Sequence, residues 1–497
     1  MEHSSYILCL SSVGIKLGNS IMFVKKIYLP MVIIMVLTSK FSLSKPLDLK
    51  HELRLLPASA SYALLIIDPA TGKLVHDENS DKLMPPASLQ KLITALATKL
   101  ILPDQFRFIT QLEKSGRDIV VRFSGDPALT YDDLYNLFDL YKKKHGQIIR
   151  GDIILDGSIF TGHNLPQGIT WENLSACYSA PSSALNLDKN CAEITLNSHL
   201  PMNQLATVQK TTQPIFVESS ALISNKTQIE RSFCEFDALY FDKNHYAITG
   251  CINQSSHPLI LKLAIQDPNS YVKAAVRSML RDLKIKLKGE IKSAQRNSGH
   301  IIAVHQSDTI NSYIAEMLLE SDNLIAETLV RMLGKRFFSV PGSFSSGLAA
   351  IEAILMEQAS IDLAQCHLSS GSGLSRNDRI TAKKFMEILQ FIHRHDNTLN
   401  LIELLPVAGL SGTLKNRFTP KNHRLTGKIQ AKTGYIFSTY NLAGIIQTES
   451  GKPLLFIQLI TDYLPQNSSM SKQERMAALR SFENAFYTRL LKWLPTS

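Results

Sequence analysis

Cysteine is scarce, no apolar run is long enough to span a membrane comfortably, and no stretch is dominated by charge of one sign. The 497 residues hold 6 cysteines, none in a C-x-x-C pair or at a Cys/His spacing that suits zinc. His51-Glu52-Leu53 lacks the second histidine of a zinc-peptidase helix, and the other histidines are scattered. No metal and no cofactor is therefore expected. No dense Lys/Arg block with interleaved aromatics occurs, so the net charge of +10 does not point to nucleic acid. It reads as a diffuse surface excess suited to anionic surroundings such as a cell-wall polymer or a membrane surface. No internal repeat is evident, and the composition is that of a globular chain long enough for several domains and a large core.

The N-terminus carries an apolar stretch, residues 27–37, after Lys25-Lys26 and before Ser42-Leu43-Ser44. Charged, apolar and small residues in that order form a secretory signal pattern. Residues 1–44 are expected to be a signal peptide with an upstream extension, Met22 being the expected true start. The stretch falls short of the ~20 residues of a membrane span, and an uncleaved anchor is the alternative. Export would place the chain where disulfides form. Beyond Cys9, Cys177 with Cys191 and Cys234 with Cys251 would then close short loops, leaving Cys366 over; buried free thiols at all of these positions are the other reading.

Residues 62–67 read as a buried strand, 68–72 as its turn and 73–75 as the returning strand. An apolar-periodic helix follows from Pro86 to Leu100. Short strands are expected at 106–112, 119–123 and 153–155, with a helical stretch at 131–141. The middle of the chain is richer in Ser, Asn, Gln and Pro and shows strand-like pieces but no strongly periodic helix. After an amphipathic helix at 269–286 and a strand at 301–305, the chain turns helical from Thr309, with a break at Ser321-Asp322-Asn323. Strands at 425–432, 440–448 and 454–460 precede a last helix at 475–494. Its stripe, Met476, Leu479, Phe482, Phe486, Leu490 and Trp493, suits packing on a sheet, with peripheral membrane contact as the alternative. The expected fold class is α/β (α+β). The two ends should fold together, because the N-terminal hairpin cannot bury itself and the C-terminal strands need partners.

Three short elements carry the chemistry jointly. Ser88 and Lys91 are i and i+3 at a helix start, so they share a face with Cβ atoms about 5–6 Å apart and the amine can take the hydroxyl proton. Alone, this pattern is better read as a helix cap followed by a solvated lysine. Ser321-Asp322-Asn323 at an interhelical break and Lys432-Thr433-Gly434 on a strand reverse that reading. In this order and these settings the three match the S-x-x-K, S-D-N and K-T-G set of penicillin-binding proteins and serine β-lactamases.

With Gly125-Asp126-Pro127, the run from Ser179 to Asp188, and Gly371-Ser372-Gly373-Leu374-Ser375-Arg376, nearly the whole chain after the signal resembles one family. It is the D-alanyl-D-alanine carboxypeptidase/endopeptidase family, class C low-molecular-mass penicillin-binding proteins. The resemblance implies a β-lactamase/transpeptidase-like domain, an antiparallel sheet flanked by helices, built from residues 45–110 and 300–497. A first inserted domain (111–163 and 268–299) and a second, mainly β one (164–267) would split it. The implied activity is serine D,D-peptidase hydrolysis of the terminal D-Ala-D-Ala bond of peptidoglycan stem peptides, with D-Ala-diamino acid cross-links as a further substrate. The acyl-enzyme would be penicillin-sensitive, β-lactam antibiotics would be ligands, and the location would be periplasmic. A β-lactamase-like hydrolase is one alternative, although no convincing Glu-x-x-x-Asn element supports it. A non-catalytic envelope binding or scaffold protein is another, although no core motif residue is lost.

On that resemblance Ser88 is the nucleophile and Lys91 its base, which requires an amine pKa lowered from about 10.4 by burial and by the charge of Lys432. Ser321 would relay a proton, and Asn323 would hydrogen-bond the substrate amide. Lys432 and Thr433 would bind the terminal carboxylate, and Gly434 would let substrate backbone approach the strand. The backbone N–H groups of Ser88 and Tyr435 would form the oxyanion hole. Arg376 is either a contact for a substrate carboxylate or a solvated loop residue. Two departures stand out: Tyr435 where Thr or Ser is usual, and Ser370 where Asp is usual, which puts the anchoring of the adjoining loop in question.

Overall fold

The computed structural model describes residues 47–209, 211–418, 423–464 and 472–495. The expected signal segment, residues 1–44, lies outside them. Among the described residues no helix is long and apolar enough to cross a membrane.

Alternation of side chains along strands builds the central sheet. Five antiparallel strands lie in the order Ile429–Ile436, Thr439–Gln447, Pro453–Thr461, Ser61–Ile67, Leu74–Glu78. The N-terminal strand thus joins the C-terminal set, running from Ser61 opposite Thr461 to Ile67 opposite Leu455. Leu64, Ile66, Leu442, Phe456 and Ile460 enter one core, whereas Ala63, Leu65, Ala443, Leu455 and Ile457 enter another. The first is closed by the helix Ala477–Leu491 through Leu479, Phe482, Phe486 and Leu490. The C-terminal stripe is therefore committed to the sheet. The second core takes in the helices Gln90–Ile101, Asn323–Phe338 and Ala382–Arg394.

A second sheet has the order Ile291–Ser293, Ile153–Asp156, Asp118–Arg122, Arg107–Ser115, His300–Thr309. Its helices, Tyr131–His145 with a Thr130/Asp133 capping box and Pro268–Asp282 with Asp267 as cap, pack their apolar faces into the same large core. The chain crosses between the sheets where the Ile310 N–H donates to the Phe106 carbonyl at 2.9 Å. Residues 107–110 and 300–309, expected in the catalytic part, thus lie in the second sheet. The reason is that the strands Arg107–Ser115 and His300–Thr309 pair with each other.

Between residues 191 and 264 small sheets surround a separate core of Ile194, Leu196, Ile223, Tyr246, Ile248 and Leu263. This region also holds a helix, Lys226–Ser232, whose 7 residues are too few for a periodicity to register. Cys177 is bonded to Cys191 and Cys234 to Cys251, with Cα separations of 5.3 and 5.5 Å, and Cys366 is free.

Candidate active site

Ser88 lies in a 3₁₀ turn, Ala87–Leu89, that runs directly into the helix Gln90–Ile101. Ala87 has φ +48°, a left-handed conformation costing on the order of 1–3 kcal/mol, so its surroundings must hold it. Asn441, wholly buried in the neighbouring strand, donates to the Pro85 and Pro86 carbonyls at 2.9 Å each and accepts the Ile460 N–H at 3.0 Å. From the other side, a Cβ on Gly373 (φ +79°) would stand 1.8 Å from the Ala87 carbonyl oxygen, so loop and turn meet backbone to backbone.

Lys91 is wholly buried, and its Nζ lies 2.9 Å from Ser88 Oγ, 2.7 Å from Asn323 Oδ1 and 2.9 Å from the Ser372 carbonyl oxygen. An ammonium donates to all three. A neutral amine has two protons and a lone pair, so Asn323 and Ser372 can retain the protons while the lone pair faces the serine. Burial brings Lys91 down to about 7, against the opposing pull of Glu327 and Asp322. The expected push from Lys432 is not among the causes. Lys432 is itself held well below the usual lysine value by burial, then by Lys91 and Arg417.

Asp322 caps the helix Asn323–Phe338 by accepting the Ile325 N–H at 3.0 Å, which leaves Ser321 in the break at φ +62°. Lys189, in a left-handed turn, pairs with Asp322 at 3.1 Å. Ser321 Oγ accepts from Lys432 Nζ at 2.9 Å. The Asn323 amide, expected to meet substrate, is occupied at both ends: Oδ1 accepts from Lys91, and Nδ2 donates to the Tyr178 carbonyl at 2.7 Å.

Along the edge strand, Lys432 Nζ also donates to the Thr433 carbonyl at 3.0 Å, and Thr433 Oγ1 donates to Thr413 Oγ1 at 2.9 Å. On the side where a Cβ would stand, Gly434 is packed against Pro86, Asn441 and Leu89. Tyr435 is 63% exposed, its ring 5.2 Å from that of Tyr440. Arg376 is brought to this rim, donating to the Phe437 carbonyl at 3.3 Å with its guanidinium 5.9 Å above the Phe437 ring. A cavity of about 880 Å³ adjoins Thr413, Thr433, Tyr435 and Phe437.

Glu327 was not singled out by motif, yet it belongs here. It is wholly buried one turn beyond Asn323 and accepts the Gly371 and Ser372 N–H groups at 2.8 and 3.1 Å. Burial raises its pKa. A carboxylate within the mostly apolar run from Leu324 to Leu333 was the available signal. The loop beside Ser370 is anchored after all: Ser370 Oγ donates to Asp378 Oδ2 at 2.6 Å.

The chain is similar to known proteins over most of its length. A profile of the family described as D-Ala-D-Ala carboxypeptidase 3 (S13) matches residues 48–485. The D-alanyl-D-alanine carboxypeptidase DacB of Haemophilus influenzae is 31% identical over 448 residues, covering 88% of this chain and 92% of the relative. The crystal structure of penicillin-binding protein 4 (dacB) from the same organism superposes with a TM-score of 0.84 at 30% identity, covering 90% of this chain and 100% of that one. The same protein complexed with a β-lactam gives 0.80 at 29% identity, with the same coverage of each chain.

Proposed function

The chain belongs to the D-Ala-D-Ala carboxypeptidase 3 (S13) family and is a serine-type D-Ala-D-Ala carboxypeptidase, and we propose that its reaction is carried by Ser88, Lys91, Ser321 and Lys432. The neutral Lys91 amine takes the Ser88 proton as Oγ attacks the carbonyl carbon of the penultimate D-alanine. The tetrahedral oxyanion is met by the Ser88 and Tyr435 backbone N–H groups. As the C–N bond breaks, Ser321 passes its proton to the leaving D-alanine nitrogen and takes one from Lys432, whose Nζ lies 2.9 Å from its Oγ. The proton that Lys91 removed from Ser88 replaces the one given up by Lys432, so that Lys91 is neutral again in the acyl-enzyme. Water then attacks the Ser88 ester, Lys91 accepting its proton and returning it to Ser88 Oγ as the ester C–O bond breaks and the shortened peptide leaves.

The observation that carries this reading is the 2.9 Å approach of Lys91 Nζ to Ser88 Oγ in surroundings that lower the amine to about 7. Thr433, with Thr413 behind it, receives the terminal carboxylate, and Arg376 stands at the rim toward the rest of the stem peptide. The substrates are peptidoglycan stem peptides, with D-Ala-diamino acid cross-links as a second class, and the β-lactam complex of the Haemophilus relative supports acylation of Ser88 by penicillins. The signal pattern and the bonded cysteine pairs support export to the periplasm. The sheet memberships support a catalytic domain formed from both ends of the chain with two insertions between. Intact-mass measurement after penicillin treatment tests the nucleophile: wild type gains one adduct and Ser88→Ala none, whereas equal labelling of both rejects the assignment.

A further inference from the structure

The five backbone N–H groups of residues 369 to 373 are all held from within the protein. Ser369 and Ser370 donate to Asp378 Oδ1 at 2.5 and 3.2 Å, and Gly371 and Ser372 to the two oxygens of Glu327 at 2.8 and 3.1 Å. Gly373 donates to Ser370 Oγ at 3.0 Å, and that hydroxyl donates its own proton to Asp378 Oδ2 at 2.6 Å. With the N–H groups fixed, the carbonyls face the nucleophile helix. The Gly371 oxygen accepts from Thr94 Oγ1 at 2.8 Å, and the Ser372 oxygen accepts from Lys91 Nζ at 2.9 Å. Asp378 and Ser370 are themselves fully shielded from solvent.

A neutral lysine amine is a three-fold rotor, and two fixed acceptors are needed to aim its lone pair. Asn323 supplies one and the Ser372 carbonyl the other. We propose that Asp378 is a positioning residue for acylation: acting through Ser370, it holds the loop whose Ser372 carbonyl turns the Lys91 lone pair onto Ser88. It supplies from position 378 the carboxylate anchor missing at position 370. The inference rests on Lys91 being the base.

Asp378→Asn, Ser370→Ala and the exchange variant Ser370→Asp/Asp378→Ser test it, with kcat and KM measured on a D-Ala-D-Ala peptide and melting temperature as the control for folding. Asp378→Asn is expected to lower kcat about ten-fold with KM within two-fold, since misaiming a reacting group costs rate and not ground-state binding. Ser370→Ala should move the same way by a smaller factor, and the exchange variant should recover most of the loss. An Asp378→Asn enzyme with unchanged kcat, or with the loss confined to KM, overturns the proposal, as does an exchange variant that folds yet is no better than Asp378→Asn. Lys91→Met separates the two readings. If it still acylates, the base assignment fails; if it is dead while Asp378→Asn is normal, only the role of Asp378 fails.

Discussion

Gly434 and Pro86 meet backbone to backbone: a Cβ on Gly434 would stand 2.7 Å from the Pro86 carbonyl oxygen, 3.0 Å from Asn441 Cβ and 3.2 Å from Leu89 Cγ. The glycine of the K-T-G strand is thus what lets the nucleophile turn lie against the sheet. Gly434→Ala should displace that turn, costing about 1–3 kcal/mol of stability and slowing penicillin acylation more than it weakens peptide binding. Denaturant unfolding and acylation kinetics check both, and a variant matching wild type in each would show that the turn accommodates the methyl.

The rate of acylation should rise with pH through about 7, because burial lowers Lys91 to that value and only the neutral amine, the form present above its pKa, can accept the Ser88 proton. Below the midpoint the logarithm of kcat/KM should climb with a slope near one. A rate that falls between pH 6 and 8 on a substrate without titrating groups is incompatible with Lys91 as base.

Lys91→Met should abolish acylation by roughly 10²–10⁴-fold, the range of a lost general base, while the protein stays folded. The side chain is wholly buried, so methionine fills similar volume without a charge to desolvate. Circular dichroism together with stopped-flow acylation by a chromogenic β-lactam distinguishes loss of chemistry from loss of fold.

Arg331 is a wholly buried cation that no carboxylate pairs among the described residues; its guanidinium donates to the Thr161 carbonyl at 2.9 Å, to the Ser182 carbonyl and to Asn164 Oδ1 at 3.2 Å, and lies 4.6 Å above the Phe160 ring. Arg331→Met would relieve a buried charge but strand two carbonyls, for a net loss of about 2 kcal/mol. Urea unfolding should register that loss while the folded variant keeps its kcat. Unchanged stability would mean that desolvation of the charge cancels its hydrogen bonds.

The Cys234–Cys251 bond closes a loop in the small-sheet region with its own core, away from Ser88 and Lys91. Replacing both cysteines by serine should cost about 3 kcal/mol, the loop-closure value for a separation of 17 residues. Penicillin acylation at low temperature should be unaffected. A large fall in acylation by the folded variant would reveal coupling between this region and the site.

Much of the fold was legible because its signals are local. Short, nearly continuous apolar runs marked the strands now seen as Pro453–Thr461 and Ser61–Ile67, and helical spacing marked Ala477–Leu491 and its sheet-packing stripe. Both cysteine pairs followed from short separations together with the export expected from the signal pattern. Misread were the limits of the insertion, since the strands Arg107–Ser115 and His300–Thr309 look like any others until their hydrogen-bond partners are known. The same holds for Glu327, Asp378 and Thr413, which belong to no motif and are defined by what they touch.

The sequence by itself determined the chemistry: a serine and a lysine one turn apart, with S-D-N and K-T-G in the order acyl transfer needs, because residue identity and near-neighbour spacing are properties of the chain. The tertiary structure decided whether that chemistry can run. Lys91 is brought down to about 7 because the fold buries it, and its lone pair is aimed by acceptors 232 and 281 positions away, Asn323 and Ser372. Desolvation and hydrogen-bond geometry are set by surroundings that no local stretch contains, which is why the expected influence of Lys432 and of an aspartate at position 370 gave way to burial and to Asp378.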